Sequence, residues 1–298
     1  MKKTLYLIAI FTFLISCSED DTTPVDLGDG LGQLTERNLT KIESQYYDTS
    51  SGTSTNLGVA FLENGKIKEA LSYEDNILTK KVIYEYNSDG LVDHVLNFDG
   101  SNTPLTSADY TILYDPQNRV TNIISLNHIV EFTYNSNNTI TRTLSDSSNQ
   151  NLATGTYSIN QNGKIYKYVS GGHWVFDFEY INDQVMSGTM DIGSSVINLE
   201  YDYDNVPESK GFSYHKLYKD MFGSANNAIF TSNRSIENMI ALYYGESNPT
   251  LVAYYIPQQN SQLVTTFHYL RDEENYITEY DLIANGSLYC QVKLTYED

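Results

Sequence analysis

The sequence predicts an all-β fold: an antiparallel meander of repeated hairpins that forms a strongly curved sheet or a soluble barrel-like body, with a short helical insertion. Apolar and polar residues alternate with a period of two over many short segments, which is typical of half-buried strands. Segments rich in Asn, Asp and Gly separate these strands at hairpin spacing. Tyrosine is abundant, with 26 copies in 298 residues, and its ring can pack while its hydroxyl stays solvated.

One short pattern recurs from about residue 35 onward: an alternating aromatic strand, a turn and a second apolar strand. Its copies lie at 61–67, 86–92, 114–120, 134–140, 159–165, 179–185, 201–206 and 269–277, with a truncated strand at 296–298. Asn, Asp and Gly tolerate the positive φ angles of hairpin turns, which explains their presence in the copies. Because one hairpin is marginally stable alone, the copies must pair edge to edge into one sheet.

The predicted strand faces separate aromatic from acidic residues. One face carries Trp174, Phe176, Phe178 and Tyr180, and further along the chain Leu199, Tyr201 and Tyr203. The opposite faces carry Glu85, Glu131, Asp177, Glu179, Glu200, Asp202 and Asp204. The same spacing places His94 on one face with Val92, Leu96 and Phe98. This pattern indicates an aromatic core side and an acidic solvent side.

The regular rhythm breaks between residues 207 and 262, which we interpret as an irregular or helical insertion or cap. The segment 215–223 predicts a short helix ended by Gly223, and 235–242 is a candidate for a second helix. Strand character returns at 251–256. The predicted organisation is a signal peptide at 1–16, a flexible acidic tether at 17–36 and a single β-meander domain at 37–298.

The N-terminus resembles a bacterial lipoprotein signal. Lys2 and Lys3 precede an apolar run at 5–15, which is long enough for the core of a signal peptide and too short to span a bilayer. The sequence Leu-Ile-Ser-Cys17 resembles a lipobox, in which the cysteine is acylated and becomes the first residue of the mature chain. A secretory signal that ends near a cysteine by coincidence is the alternative.

The residues that follow Cys17, namely Ser18, Glu19, Asp20 and Asp21, resemble the acidic export signal of Bacteroidetes-type lipoproteins. That signal directs such proteins to the outer face of the outer membrane. The resemblance therefore implies a lipid-anchored outer-membrane protein that faces the cell exterior and is attached to membrane lipid through Cys17.

The charge of the chain excludes some partners. The formal net charge is −20, so the chain repels phosphate backbones and anionic headgroups, and we expect neither nucleic-acid binding nor a polybasic membrane contact. Acyl chains would have to hold the protein at the membrane without help from charge. Once Cys17 is acylated, Cys290 has no cysteine partner, and its strand-like context favours a small buried hydrophobe.

The turns at 87–90, 115–118 and 160–163, which follow aromatic strands, resemble the YD repeats of Rhs-like surface proteins. Together with Cys17 and the segments 201–207 and 221–227, they resemble more closely a Bacteroidetes lipoprotein family of unknown function with a porin-like fold. This resemblance implies antiparallel strands that are strongly curved or closed into a barrel-like body. It implies no membrane pore, because the polar strand faces carry Asp, Glu, Thr and Lys where a lipid-facing barrel needs an apolar band.

The sequence offers little enzymatic chemistry. It contains no His-Glu-x-x-His, no Gly-x-Ser-x-Gly, no phosphate-binding loop and no Cys-x-x-Cys, and its five histidines lack metal-ligand spacing. We therefore expect no catalytic residues, no metal and no cofactor.

Two groups of residues are candidates for ligand binding. Trp174, the single tryptophan, follows His173 and a Gly-Gly turn, so it could stack on a glycan or could begin the packed core stripe. Glu200, Asp202 and Asp204 project from one strand face, where they could support acid/base or calcium chemistry or could be a solvated acidic face.

The sequence thus predicts a non-enzymatic cell-surface lipoprotein that acts as a binding or structural module for a glycan or an envelope protein. The alternative is a surface polysaccharide hydrolase that uses the strand-face carboxylates.

Overall fold

The computed structural model describes residues 37–48, 50–171, 174–182, 184–203, 212–231 and 248–297. The predicted signal peptide, Cys17, the export signal at 18–21 and the candidate helix at 235–242 lie outside the described residues.

The described residues form strands that follow one another along the chain. The first half of the sheet consists of β1 (Leu39–Tyr47), β2 (Ser54–Glu63), β3 (Lys66–Glu74), β4 (Ile77–Tyr86), β5 (Val92–Asp99), β6 (Tyr110–Tyr114), β7 (Val120–Ser125), β8 (His128–Asn135) and β9 (Thr139–Asp146). The second half consists of β10 (Asn151–Ile159), β11 (Ile165–Ser170), β12 (Trp174–Ile181), β13 (Gln184–Asp191), β14 (Val196–Tyr203), β15 (Pro249–Ile256), β16 (Ser261–Arg271), β17 (Ile277–Ala284) and β18 (Ser287–Tyr296).

The sheet closes on itself. Each strand pairs antiparallel with the next, and β18 pairs with β1 from Leu39 opposite Tyr296 to Tyr46 opposite Cys290. The 18-stranded sheet is therefore a closed barrel. This confirms the predicted all-β antiparallel meander, and of the two predicted forms the structure shows the barrel.

The hairpin connections define two ends of the barrel. One end is called the plugged end because two short helices fill it. It carries the turns at 64–65, 87–90, 115–118, 160–163 and 272–275, near the start of β1 and the end of β18. There the backbone N–H of Glu297 donates to the carbonyl of Asn38. At the far end lie the turns at 75–76, 126–127, 147–150, 192–195 and 285–286.

The turns at the plugged end follow from the Asn or Asp that begins them. The Oδ1 atom of Asn87 accepts hydrogen bonds of 3.0 Å from the backbone N–H groups of Asp89 and Leu91. The positive φ of Gly90, 75°, suits glycine and asparagine far better than other residues. Equivalent turns begin with Asp115, Asn160 and Asp272.

A β-bulge follows most of these turns and adds curvature to the wall. In the hairpin of β4 and β5, Tyr86 pairs with Val92 whereas Glu85 pairs with His94, so Asp93 is the extra residue. Bulges bend a strand and increase its twist, which helps a long meander to close. The equivalent extra residues in other hairpins are Lys68, Thr121, Tyr166, Met186 and Thr278.

The bulge makes one predicted strand face wrong. His94 lies opposite the outward-facing Glu85 and its side chain is 46% exposed, whereas Val92 is 0% exposed. Beyond the bulge the inward positions belong to Val95 and Asn97, which are 2% and 4% exposed. The extra residue shifts the phase of the alternation, so a constant period of two assigned His94 to the wrong side.

Two short helices fill the plugged end. Helix α1 (Tyr214–Phe222) begins at Ser213, whose side chain accepts a hydrogen bond from the Lys216 N–H, and ends at Gly223 with a left-handed φ of 77°. Helix α2 (Ala225–Thr231) follows directly. Phe230 of α2 stacks on Phe132 of the inner wall with ring centroids 4.3 Å apart, which identifies the inward face of the sheet.

Asn227 fixes these helices to the barrel wall. It is 1% exposed, and its side-chain amide donates to the carbonyls of Asn118 (2.9 Å) and Phe222 (2.7 Å). Its Oδ1 atom accepts from the N–H of Val120 at 3.3 Å. This buried amide forms hydrogen bonds with backbone groups of both helix α1 and the turn before β7. It therefore fixes the plug, which consists of α1 and α2, on the barrel wall.

The segment predicted as an insertion, 207–262, contains both helices and strands of the barrel. Its described residues 212–231 carry α1 and α2. Its later residues form β15 and the beginning of β16, which are strands of the barrel wall.

Six tyrosine hydroxyls join a strand to the preceding strand near the plugged end. The hydroxyl of Tyr114 donates to the carbonyl of Val92 at 2.8 Å, and that of Tyr134 donates to the carbonyl of Val120 at 2.9 Å. Burial raises the pKa of these hydroxyls above the ordinary value, so they remain donors. We call these bonds tyrosine clasps; the others join Tyr86 to Ile67, Tyr180 to Ile165, Tyr269 to Pro249 and Tyr296 to Ile277.

Removal of one clasp should destabilise the barrel. We expect Tyr114→Phe to lower the free energy of unfolding by about 1–2 kcal/mol, because the half-buried Val92 carbonyl loses its donor. Urea unfolding measures this loss. The matched control is Tyr166→Phe, whose outward hydroxyl makes no hydrogen bond to the described residues; equal stability of both variants would contradict the clasp.

Glycine at position 188 lets an aromatic ring lie against the inner wall. A Cβ atom there would lie 2.8 Å from the carbonyl oxygen of Asp177 and 2.9 Å from a ring carbon of Phe178. At Gly58, another strand glycine, the nearest atoms would be 3.9 Å away. Both glycines lie within strands, but only Gly58 has space for a Cβ atom.

We expect Gly188→Ala to lower the free energy of unfolding by about 1–3 kcal/mol through overpacking. Gly58→Ala should leave it unchanged or slightly higher. Urea unfolding of both variants tests the close approach of Phe178, and a stable Gly188→Ala barrel would argue against it.

Candidate functional site

The inner face of β12 becomes exposed toward the far end of the barrel. Phe178 and Phe176 are 4% and 3% exposed, whereas Trp174, at the start of the strand, is 53% exposed. The helices cover the inner residues nearest the plugged end, so solvent reaches this face at the far end. Trp174 thus combines the two alternatives that the sequence left open. It continues the core stripe of Phe176 and Phe178, and its own ring is accessible to solvent.

Ring contacts connect Trp174 to the plug. Trp174 meets Phe176 edge to face with centroids 6.5 Å apart, and Phe176 meets Tyr168 at 5.9 Å. Tyr168 then contacts Tyr157 at 4.5 Å, and Tyr157 contacts Phe230 of α2 at 5.1 Å. We call Trp174, Phe176, Tyr168 and Tyr157 the aromatic wall. Its buried part holds the orientation of its exposed end.

Small residues lie beside Trp174 on the neighbouring strands. Ser170 of β11 pairs with Trp174, and Gly155 of β10 pairs with Ser170. A Cβ atom at Gly155 would lie 2.7 Å from the Tyr168 hydroxyl oxygen, so the tip of Tyr168 covers this glycine. The small side chain beside the Trp174 ring is therefore that of Ser170, whereas the Tyr168 ring fills the space over Gly155.

Exposed apolar side chains surround the far end. They come from successive connections of the meander and include Ile77 (69%), Leu105 (37%), Leu126 (63%), Leu152 (50%) and Tyr289 (45%). We call this group the apolar rim. Comparably exposed apolar side chains also lie at the plugged end, namely Phe61 (41%), Leu113 (44%), Ile181 (60%) and Leu270 (58%).

Hydrogen bonds within two far-end loops hold carboxylates in place. Oδ1 of Asp48 accepts hydrogen bonds from Ser50 and Ser51, which lower the pKa of its carboxyl to about 2. The side chain of Ser148 and the backbone N–H of Gln150 likewise lower the pKa of Asp146. Both carboxylates therefore keep a negative charge at neutral pH.

The predicted carboxylate group lies on the opposite side of the wall from Trp174. Glu200 and Asp202 are exposed on the outer face of β14, as the alternation predicts. Glu200 borders an outer cleft of about 150 Å³ that is also lined by Asn198, Tyr255 and Gln262. The structure therefore does not bring the carboxylates and Trp174 into one site.

The remaining predicted site residues, His173, Asp204, Cys17 and residues 18–21, lie outside the described residues. Within the described ranges, no group of three or more His, Cys, Asp or Glu side chains could hold a metal ion. The same part of the chain contains no helix that is long and apolar enough to cross a membrane.

Sequence reasoning missed Tyr168, Gly155 and the apolar rim. Alternation along β11 places Tyr168 two residues before Ser170 on the same face, so a signal existed for the tyrosine. No local signal distinguishes Gly155 from a turn glycine, because its role depends on a ring from the neighbouring strand.

The fold and site define a closed antiparallel β-barrel that is plugged at one end by helices and carries exposed aromatic and apolar residues at the other. No protein-family description and no curated protein matches the chain.

Among solved structures, the chain is similar to a porin-like protein from Bacteroides uniformis, with 16% identity, a TM-score of 0.44, and coverage of 87% of this chain and 98% of the other. A porin-like protein from Bacteroides vulgatus shows 13% identity, a TM-score of 0.32, and coverage of 88% and 99%. The Tc holotoxin pore of Photorhabdus luminescens shows 9% identity, a TM-score of 0.33, and coverage of 78% and 14%.

Proposed function

We propose that the protein is a non-enzymatic outer-membrane lipoprotein whose barrel binds a glycan at the far end. The observation that carries this proposal is the exposure of Trp174 at the end of an otherwise buried aromatic wall. A rigid, exposed indole offers a flat apolar surface to a sugar ring at little entropic cost. The neighbouring Ser170 is small and leaves space beside the indole for such a ring.

The position of the first described residues supports outward presentation of this site. The side chain of Arg37 forms a 2.7 Å ion pair with Asp272 at the plugged end, and the Arg37 N–H donates to the Tyr276 hydroxyl at 3.0 Å. A tether that runs from an acylated Cys17 would therefore reach the barrel at the plugged end. The far end would then face away from the membrane.

The outer wall supports a barrel that stands in water. Ion pairs lie on it at strand positions, including Lys81 with Glu69 at 3.2 Å and Lys167 with Asp177 at 2.7 Å. A barrel that spans a bilayer needs an apolar outer band, and charges at such positions are costly there. Lipid attachment through Cys17 fits this wall better than insertion.

Loss of the exposed indole should abolish glycan binding. We expect Trp174→Ala, in the chain that starts at residue 18, to bind oligosaccharides at least about tenfold more weakly than the unchanged chain, because one aromatic stacking surface is removed. A glycan array followed by calorimetry measures this. Ile181→Ala, which removes an exposed side chain at the plugged end, is the matched control.

A blank array for the unchanged chain would refute the glycan proposal. The apolar rim favours an envelope protein as the second candidate partner. Crosslinking from position 126 in intact cells would then capture one constant neighbour.

The anchor has its own test. Cys17→Ser should release the protein from the membrane fraction, because acyl chains are its proposed attachment. Protease added to intact cells should degrade the barrel of the unchanged protein while a periplasmic marker stays intact. Full protection of the barrel would place it in the periplasm and would overturn the proposed role of Ser18 to Asp21.

A further inference from the structure

A basic side chain lies on the same cross-strand row as Trp174. Ser170 pairs with Trp174, Gly155 pairs with Ser170, and Arg142 of β9 pairs with Gly155. Three strand spacings of about 4.8 Å separate the two ends of this row, so Trp174 and Arg142 stand roughly 14 Å apart, with Ser170 and Gly155 between them.

The barrel register places Arg142 on the inner wall. Its other cross-strand neighbour is Phe132, which is 3% exposed and stacks on Phe230 of the plug. Arg142 also influences Tyr157, since its positive charge lowers the pKa of that hydroxyl against the larger upward effect of burial. The guanidinium is half-buried, and it makes no hydrogen bond or ion pair with the described residues.

A tyrosine hydroxyl lies over the residue that pairs with Arg142. The tip of Tyr168 covers Gly155, the cross-strand partner of Arg142, and its hydroxyl makes no hydrogen bond with the described part of the chain. The clasp tyrosines differ, because their hydroxyls donate to backbone carbonyls. The Tyr168 hydroxyl is therefore available to donate a hydrogen bond to a ligand.

Two unused donors in a half-buried position indicate an anionic partner. A guanidinium that has no counter-charge among the described residues can form an ion pair with a ligand anion. The planar fork of arginine matches the two oxygens of a carboxylate, and a tyrosine hydroxyl can add a third hydrogen bond.

We propose that Arg142 and Tyr168 bind the carboxylate of an acidic oligosaccharide, such as a hexuronate oligomer, whose neighbouring ring stacks on Trp174. This inference rests on the proposed glycan function and names its ligand class. The row from Trp174 to Arg142 has the length of a short oligosaccharide, with the small Ser170 beside the indole and the Tyr168 tip over Gly155. A fatty acid carries the same carboxylate, so the test includes one.

The single tryptophan supplies the measurement. Its fluorescence is followed in the chain that starts at residue 18 while galacturonate, alginate or hyaluronate oligomers, neutral oligomers of equal length, or dodecanoate are added. We expect an acidic oligomer to bind at least about tenfold more tightly than the neutral oligomers, since a charge-assisted hydrogen bond is worth about 1.5–3 kcal/mol. We expect dodecanoate to bind more weakly than that oligomer.

Arg142→Gln should remove the preference for the acidic oligomer and leave the affinity for neutral ones unchanged. Tyr168→Phe should reduce the preference for the acidic oligomer by about threefold. Arg142→Lys should give an affinity for the acidic oligomer between those of the unchanged chain and Arg142→Gln, because the charge remains without the planar guanidinium. The control is Lys167→Gln, which removes a basic group from the outer wall near Tyr168. Urea unfolding shows that each variant is folded, and Arg142→Lys provides the comparison if Arg142→Gln does not fold.

The outcomes separate the two proposals. Neutral oligomers that bind through Trp174 but are indifferent to Arg142, with no acidic preference, would overturn this inference and leave the glycan function standing. Dodecanoate that binds more tightly than every acidic oligomer would also overturn it. An absence of binding by any oligomer would overturn both proposals.

Discussion

The closure of the sheet by the pairing of β18 with β1 is the constraint on which the rest of the structure depends. A closed ring has no strand edge for unwanted pairing, but 18 strands enclose more space than the side chains of the wall can fill. At one end the deficit is met by α1 and α2, which bury Met221, Phe222 and Phe230 among the inner residues. At the other end inward positions such as Trp174 stay exposed. The accessible aromatic surface is therefore a direct consequence of filling the barrel from one side.

Many of the contacts that stabilise the barrel are concentrated at the plugged end. The plugged end holds the clasps, most of the bulges and the buried Asn227, and several of its inner residues, among them Val120 and Ile165, are 0% exposed. The far-end connections range from the two residues 75–76 to the ten residues 100–109, and exposed apolar side chains occur there as they do at the plugged end. Aromatic contacts run from Phe230 to Trp174, so the buried half of the wall orients the exposed half. Such a scaffold can hold a binding surface rigid without a core beneath it, which lowers the entropic cost of binding.

The hairpins, the turn residues, the aromatic stripe of β12 and the acidic outer face were predictable because each depends on residues close in sequence. Asn87 begins its turn with hydrogen bonds to residues two and four positions away, and the alternation from Trp174 to Tyr180 needs no information from elsewhere. The side assigned to His94 was wrong because a bulge is defined by the pairing of two strands and changes the phase of one of them. The Trp174 to Arg142 row was not predictable either, since it crosses four strands and depends on their registers.

The sequence by itself determined the all-β class, the hairpin unit and the separation of an aromatic from an acidic face, because turn chemistry and side-chain alternation act over a few residues. Tertiary structure alone decided that the curved sheet closes, which end the helices fill and which aromatic side chain remains accessible. These outcomes depend on the sum of strand registers and bulges around the barrel, to which each hairpin contributes only one increment.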